Sequence, residues 1–359
     1  MVAALSDEFS FYILTRNTDY CESEPYPDVT ENQWIALPTG EHVWYLPEGD
    51  ISFRTVRQIM ESENWSALYL NGLYSRYFSV YPLLISKMSK MVSAPVIVAA
   101  RGMLAASAIG VKKTKKRFFL RTAKLMGLYT NVFFQATHLG EKEEVLKEIG
   151  QQTRVFVAPN ITQRKLLQAE PPEKREGSLR VVSIARIAPE KNLLFLLEVL
   201  SVVQAKILLS VFGSVYDHEY WQKCEEIIKS FKSNIRVDVH GVVEPEQISS
   251  VIAGHHMLVL PSRGENFGHV IAESLLAGRP VLISDQTPWR DLEKSQSGKV
   301  IPLRVDDWRQ ALEYFADLSD HGFKVWLQGA AHQGEELSKD HVPVERHREM
   351  FRAVISSHQ

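Results

Sequence analysis

Cysteine is scarce in this chain: of its 359 residues only Cys21 and Cys224 are cysteines. They lie far apart and outside any metal-ligand spacing, so we expect no disulfide framework and favour a reducing, cytoplasmic compartment. The sequence also lacks an Asp-x-Asp motif and any cluster of metal-ligand residues. We therefore expect neither a bound metal ion nor a cofactor.

Long apolar runs and a dominant charge are also missing. No run reaches the ~18–20 residues that would span a bilayer, so we expect only peripheral membrane contact, if there is any. Met1–Glu8 has neither the basic start nor the apolar core of a signal peptide. The 41 Lys and Arg nearly balance the 43 Asp and Glu, giving a formal net charge of −2 and no reason to expect a nucleic-acid partner.

Two domains are expected from the length, at roughly 150 residues per domain. In residues 1–160, short β-rich apolar runs alternate with helical patterns, which is typical of a parallel sheet covered by helices on both faces. The candidate strands of this half are Phe9–Thr15, Ala67–Leu70, Pro95–Ala99, Asn131–Gln135 and Arg154–Val157.

A proline-, glycine- and charge-rich stretch, residues 161–178, is typical of an interdomain linker. Residues 179–338 repeat the alternation more regularly and predict a second doubly wound domain, and residues 339–359 predict a C-terminal helix. The candidate strands of this second domain are Leu179–Ala185, Lys206–Phe212, Ile235–Val239, Met257–Leu260 and Pro280–Ile283.

The start of the first domain is unusual. A doubly wound domain normally opens with a strand and a tight Gly-rich turn, which lie near the ligand. Here Val2–Leu5 resembles the tail of a helix and leads directly into Phe9–Thr15. We therefore expect the first strand of this domain to be missing.

Cationic residues, glycines and carboxylates suited to a sugar diphosphate follow the predicted strands of the second domain. Ligands of open α/β sheets bind outside the carboxyl ends of the strands, so these residues should meet at one edge. Arg186 and Lys191 can neutralise phosphate oxygens, the first as a planar fork and the second as a point charge. Gly268 precedes a predicted helix whose free amides attract phosphate, and Gly213 permits close approach of a base or ribose.

Two carboxylates flank those amides: Glu265 in the loop and Glu273 in the following helix. Carboxylates accept hydrogen bonds from sugar hydroxyls, so one can hold a hexose and the other a ribose diol. The set favours a nucleoside diphosphate sugar as ligand. The alternative for each charge is a solvated surface residue, because acidic side chains favour a first helical turn.

The segment Pro261–Val281 resembles the donor-site motif of glycosyltransferase family 4 (group 1), whose members are retaining enzymes of the GT-B fold. Ala185–Asn192 is similar to the family's Arg/Lys diphosphate motif, and Thr287-Pro288-Trp289 is similar to members that build bacterial surface polysaccharides. The resemblance implies two Rossmann-like doubly wound domains facing a cleft, the first for the acceptor and the second for the donor.

The same resemblance implies transfer of a hexose-type sugar from a UDP or GDP donor to a saccharide or lipid-linked acceptor. Glu265, Arg186 and Lys191 would then be the catalytic residues. The implied donor-binding residues are Arg186, Lys191, Gly213, Glu265, Asn266, Phe267, Gly268, His269 and Glu273.

The first half matches the family less well. Gly72, Arg101 and His138 follow predicted strands and are candidates for contact with the acceptor or the donor sugar. Many relatives carry a histidine where this chain has Arg101. Two other functions therefore stay open: a non-catalytic nucleotide-sugar-binding protein, and a nucleotide-sugar epimerase or hydrolase of the same fold.

A basic run, Lys112–Arg117, precedes the apolar residues Phe118–Leu120. It predicts either a solvated helix face or a contact with an anionic membrane surface or a lipid-diphosphate acceptor. The second reading would place a cytoplasmic protein on the inner face of a membrane.

Overall fold

The computed structural model describes residues 1–18, 24–104, 113–162, 165–167 and 169–357, with only the backbone of Lys113. The chain forms two compact units. The first contains residues 1–161 and 341–359, and the second contains residues 162–340. Cys224 is a buried free thiol of the second unit, whereas Cys21 lies outside the described residues.

The first unit contains two sheets. A four-stranded parallel sheet has the order β4-β5-β6-β7, and a small sheet has the order β1-β3-β2, in which β1 is parallel and β2 antiparallel to β3. The elements in chain order are α1 Val2–Leu5, β1 Tyr12–Arg16, β2 Ile35–Ala36, β3 His42–Leu46, α2 Phe53–Glu61, β4 Leu68–Asn71, α3 Tyr81–Met88, β5 Val96–Ala99, α4 Lys113–Leu125, β6 Phe133–Ala136, α5 Leu139–Glu148 and β7 Arg154–Val157.

The predicted strands of this unit all form, but the sequence did not predict β2, β3 or α2. The strand predicted at Phe9–Thr15 forms as β1 and pairs with β3 in the small sheet. Within the described residues, no strand pairs with the outer edge of β4. The expected loss of a preceding first strand stays a prediction.

The second unit has the strand order of a nucleotide-binding sheet. Its six parallel strands are arranged β10-β9-β8-β11-β12-β13, which in chain order is 3-2-1-4-5-6. The elements are β8 Ser178–Ile184, α6 Leu193–Leu200, β9 Lys206–Phe212, α7 His218–Ser230, β10 Ile235–Gly241, α8 Ile248–Ala253, β11 Met257–Leu260, α9 His269–Leu276, β12 Val281–Ser284, β13 Gly298–Ile301, α10 Val305–Asp317 and α11 Asp320–Lys339.

The C-terminal helix, α12 Val342–Ser356, belongs to the first unit rather than to the second. Its apolar face, with Met350 and Phe351, packs against Leu5 of α1 and the sheet. Arg348 and Arg352 pair with acidic residues that follow α1. The helix predicted for residues 339–359 thus forms, and its amphipathic pattern directs it back to the N-terminal unit.

The stretch predicted as a linker is largely bound to the second unit. The buried Lys174 ammonium donates to the carbonyls of Ala316 (2.7 Å) and Leu318 (2.8 Å), where a cation suits the end of α10. Arg279 donates to the carbonyl of Ala169 at 3.0 Å. Lys174 and Ala169 are therefore held against the second unit, and the boundary between the two compact units falls between residues 161 and 162, at the start of the predicted interdomain linker.

His256 links the segment around Glu173 to β8. Its Nδ1 accepts a hydrogen bond from the Arg180 amide at 2.8 Å, so the neutral ring carries its proton on Nε2, which faces the Glu173 carbonyl at 3.2 Å. Burial, helped by the nearby charges of Lys174 and Arg180, lowers the pKa of His256 from 6.5 to about 4.

This geometry predicts that the second unit loses stability in acid through His256. The unfolded chain takes up a proton near pH 6.5, whereas the folded chain resists protonation until about pH 4. The free energy of unfolding should fall by about 3 kcal/mol over that interval. Urea titrations from pH 4 to 7 should show this loss in the wild type and a smaller one in His256→Gln. Since His255 and His347 remain in both proteins, equal pH slopes would contradict the assignment.

Candidate functional site

The residues predicted to bind a donor meet at the carboxyl edge of the second sheet. Arg186 follows β8, Gly213 follows β9, and Glu265 lies in the loop after β11. Because β8 pairs with both β9 and β11, these three loops are neighbours. The register of the sheet therefore brings the predicted residues of this unit together.

Lys191 and Glu265 form the central ion pair of this edge. Lys191 Nζ lies 2.7 Å from Glu265 Oε1, and the side chains are 22% and 9% exposed. The hydroxyl of Ser262, itself fully buried, donates to the same carboxylate oxygen at 2.7 Å. The ammonium and the hydroxyl replace hydrogen bonds from water that the carboxylate loses when it is nearly buried.

Arg186 is more loosely held. Its guanidinium lies 3.5 Å from Glu190 and 5.1 Å from the centre of the Tyr216 ring, and about half of the side chain is exposed. A half-exposed pair at this distance contributes little to stability, so a stronger anion can draw Arg186 away from Glu190.

Two further residues join the loops, and sequence reasoning missed them. Asn192 has a left-handed backbone (φ 62°) and accepts a hydrogen bond from Arg263 at 3.1 Å. The Arg263 amide also donates to the Glu190 carbonyl at 2.9 Å. Asparagine tolerates this backbone region better than most residues, and this preference is the feature of the sequence that could have predicted the turn at Asn192.

Gly268 is the N-cap residue that precedes α9, and its φ of 80° suits glycine. The preceding loop is fixed by Trp289, whose indole donates to the Phe267 carbonyl at 2.6 Å and whose ring lies 5.6 Å from that of Phe267. Asn266 is half-buried in the same loop, and His269 is exposed at the helix start. The amides of the first turn are thus held at the edge where Lys191 lies.

Glu273 lies on α9, one turn beyond this helix start. Burial raises the pKa of its carboxyl above the usual value of 4.5. Within the described residues, no hydrogen bond or ion pair engages this carboxylate. A half-buried acceptor of this kind is suited to hydroxyl groups of a ligand.

Gly213 allows two loops to approach closely. A Cβ atom at this position would lie 1.9 Å from the Ala185 carbonyl oxygen, and the backbone has φ of 146°. The Gly213 amide donates to the Gly241 carbonyl at 2.6 Å, and the ring of His240 stacks on Phe212 at 4.5 Å. No side chain can replace hydrogen here without moving β8 or β9.

The candidates of the first unit lie together at the carboxyl edge of its four-stranded sheet. Arg101 donates to Asn71 (2.8 Å), Asn160 (2.5 Å) and the Tyr69 hydroxyl (3.1 Å). Gly72 has φ of 112°, and His138 caps α5 by accepting a hydrogen bond from the Glu141 amide at 3.2 Å. These bonds give Arg101 and His138 structural roles, and their contact with acceptor or sugar stays a prediction.

Glu141 is a buried residue of this edge that the sequence analysis did not select. Its carboxylate accepts hydrogen bonds from the amides of Gly102 (2.5 Å) and Thr137 (2.6 Å) and from the Thr137 hydroxyl (2.7 Å). It therefore ties the loop after β5 to the loop after β6. The only feature of the sequence that pointed to Glu141 was its place in the first turn of a predicted helix. Acidic residues are common at such positions on solvated surfaces, so this feature does not single it out.

The predicted basic run is only partly described. Lys112 and the side chain of Lys113 lie outside the described residues, Lys115 and Arg117 are exposed on α4, and Lys116 lies 5.4 Å from the Tyr74 ring. Among the described residues, no helix is long and apolar enough to cross a membrane. Within the same ranges, no three His, Cys, Asp or Glu side chains are grouped so that they could hold a metal ion.

Similarity to solved structures defines the class of fold. The chain matches a sucrose-phosphate synthase from Thermosynechococcus elongatus with a TM-score of 0.71 at 13% identity, covering 99% of this chain and 91% of that one. It matches Anabaena HepE, solved in complex with UDP-glucose, with a TM-score of 0.68 at 15% identity, covering 89% and 87%. The chain therefore has the GT-B fold of glycosyltransferases.

Sequence comparison points to one family within that class. Residues 165–321 match the family described as glycosyl transferases group 1. The gpi3 subunit of the phosphatidylinositol N-acetylglucosaminyltransferase of Schizosaccharomyces pombe is 25% identical over 190 residues, covering 53% of this chain and 42% of the relative. The alpha-D-kanosaminyltransferase of Streptomyces kanamyceticus is 29% identical over 139 residues, covering 38% and 36%. The matches thus span less than half the length of these two relatives.

The contact at Gly213 predicts a large difference between two glycines of the same edge. Gly213→Ala should lower the free energy of unfolding by about 3 kcal/mol, because its methyl group meets the backbone of Ala185. Gly241→Ala should cost only about 1 kcal/mol, since its φ is also positive but nothing lies within 4 Å. Urea denaturation of both variants measures the difference. Equal losses would show that the close approach at Gly213 is not present in solution.

Proposed function

We propose that this chain is a retaining glycosyltransferase. It moves a hexose-type sugar from a UDP or GDP donor to a saccharide or lipid-linked acceptor, in the synthesis of a cell-surface polysaccharide. The observation that carries the proposal is the convergence of Arg186, the Lys191–Glu265 pair and the α9 amides at one sheet edge of a group 1 domain.

The chemistry of the donor supports these roles. Cleavage at the anomeric carbon places negative charge on the β-phosphate of the leaving nucleotide. The amides at Gly268 stabilise that charge from positions set before the reaction, and Arg186 and Lys191 add to it when they turn from their carboxylate partners to the phosphate. Glu265 keeps its hydrogen bond from Ser262 (2.7 Å) when Lys191 turns to the phosphate, so one carboxylate oxygen stays fixed while the other accepts a donor-sugar hydroxyl.

No residue at this edge stands out as a covalent nucleophile. By analogy with the family, the leaving phosphate itself takes the proton of the acceptor hydroxyl as the new glycosidic bond forms. The protein then supplies orientation and charge stabilisation rather than a base. Glu273, being half-buried and uncommitted, suits the ribose diol.

Several similar proteins favour this choice of donor and acceptor. HepE was solved with UDP-glucose, a relative is named as a phosphatidylinositol N-acetylglucosaminyltransferase, and WaaG is described as involved in lipopolysaccharide biosynthesis. A lipid-linked acceptor brings the enzyme to a membrane surface. We propose that the contact there is peripheral and that the basic run 112–117 contributes to it.

The donor site predicts selective stabilisation by one nucleotide. UDP, GDP and ADP should be compared by thermal unfolding, because a ligand at ~100 times its Kd adds about 2.7 kcal/mol to the native state. UDP or GDP should raise the Tm of the wild type. Arg186→Ala should weaken binding about tenfold or more, since it removes a charged hydrogen bond.

Arg236→Ala is the matched control, because this exposed arginine of β10 pairs only with Asp238, away from the carboxyl edge. If no nucleotide raises the Tm of the wild type, the donor-site proposal fails. Nucleotide release from the sugar conjugate should then be compared with and without saccharide or lipid-linked acceptors. Release that needs an acceptor supports transfer, whereas release from the donor alone indicates a hydrolase.

Glu273 makes the donor site sensitive to pH. Its ionised carboxylate accepts stronger hydrogen bonds from the ribose than the neutral acid does, and burial raises its pKa above 4.5. Binding of UDP should therefore weaken as the pH falls through that raised pKa. Glu273→Gln should bind UDP about tenfold more weakly and lose this pH dependence. With 2′,3′-dideoxy-UDP, wild type and variant should bind alike, and a Glu273 effect that persists on that ligand would place the residue elsewhere than at the ribose.

A further inference from the structure

Charge is unevenly distributed along the chain. Residues 64–140 contain eleven Lys and Arg and not one Asp or Glu, although the whole protein carries a formal charge of −2. Most of these cations lie on or next to α4. The stretch itself thus contributes only positive charge, which attracts anions.

The outward face of α4 is apolar as well as basic. Leu120 and Ala123 turn inward and are buried, as expected for an amphipathic helix. On the opposite side, however, Phe118 is 72% exposed and Leu125 is 90% exposed. Their spacing of seven residues places them on one line along the helix, with Arg121 between them.

More large apolar side chains lie exposed at the end of this helix. Met126 follows Leu125 and is 62% exposed, while Met88 and Met91, at the end of α3, are 69% and 66% exposed. The ammonium of Lys87 donates to the Thr130 carbonyl at 3.1 Å, which holds these two segments side by side. Both precede strands of the parallel sheet, so they lie at its amino edge.

We infer that this docking face, formed by the outward side of α4 together with Met126, Met88 and Met91, binds the surface of an anionic lipid bilayer. Phe, Leu and Met side chains enter the boundary between headgroups and acyl chains, while Arg117, Arg121 and Lys124 extend to lipid phosphates. A nucleic acid would use only the cations and leave the exposed apolar side chains in water. The combination of both therefore favours a membrane.

The docking face differs from the contact predicted by the sequence. It begins at Arg117 and runs towards Met126, whereas Lys116 turns back to the Tyr74 ring. The inference rests on the peripheral membrane contact of the proposed function and specifies which residues make that contact. Donor chemistry plays no part in it, so the two proposals can fail separately.

Sedimentation with vesicles tests the inference on the 359-residue chain. Vesicles of phosphatidylcholine with about 30% phosphatidylglycerol should bind the wild type, and pure phosphatidylcholine should bind it at least about tenfold more weakly. The triple variant Arg117→Glu, Arg121→Glu, Lys124→Glu should lose about 100-fold in binding. Phe118→Ser with Leu125→Ser should lose about tenfold, because less apolar surface is inserted.

Matched controls lie on the second unit. Lys223→Glu, Lys229→Glu and Lys232→Glu reverse three exposed charges, and Val239→Ser with Val242→Ser removes two exposed apolar side chains. Both controls should bind vesicles like the wild type. All variants should keep the Tm shift given by nucleotide, which separates failure of docking from misfolding and from failure of the donor site.

Three results would overturn the inference. One is equal binding of the wild type to both kinds of vesicle, or to neither. Another is unchanged binding when Phe118, Leu125 and the three cations are replaced. The third is binding of double-stranded DNA, but not of vesicles, by the wild type, with binding of DNA lost in the triple variant. That result would assign the docking face to a nucleic acid.

Discussion

Parallel pairing of β8 with β9 and β11 is the constraint on which the candidate donor site depends. Strands that run in the same direction end at the same edge, so loops far apart in the chain become neighbours. Residues near 186, 213 and 265 are brought together in this way. The pairing also requires glycine at position 213, where the backbones leave no room for a side chain.

Around that constraint, a few polar contacts make the site rigid. Lys191 and Glu265 join the loops that follow β8 and β11, and Arg263 with Asn192 joins them a second time. Trp289 holds the Phe267 carbonyl and so orients the start of α9. A site that binds a charged ligand benefits from such support, since its amides need not reorganise when charge develops.

Much of the second unit could be predicted from the sequence, because strands such as β11 and β12 are buried on both faces and read as continuous apolar runs. Lys206–Phe212 and Met257–Leu260 form with the predicted bounds. The short β13 was not predicted, since Gly298–Ile301 has little apolar pattern of its own and depends on pairing with β12. In the first unit, β2 has only two residues and depends on its pairing with β3, whereas β3 itself carries an apolar and aromatic run, HVWYL, that the prediction overlooked.

The sequence by itself determined the class of fold and the chemistry of the donor edge, because strand–helix alternation and the residues after each strand are local properties. Only the tertiary structure decided which of these residues are partners. It placed Lys191 on Glu265, committed Arg101 to Asn71 and Asn160, and bound residues 162–178 and 341–359 to different units. Partners of this kind lie tens of residues apart in the chain, and their distances depend on how helices and sheets pack, which no local pattern encodes.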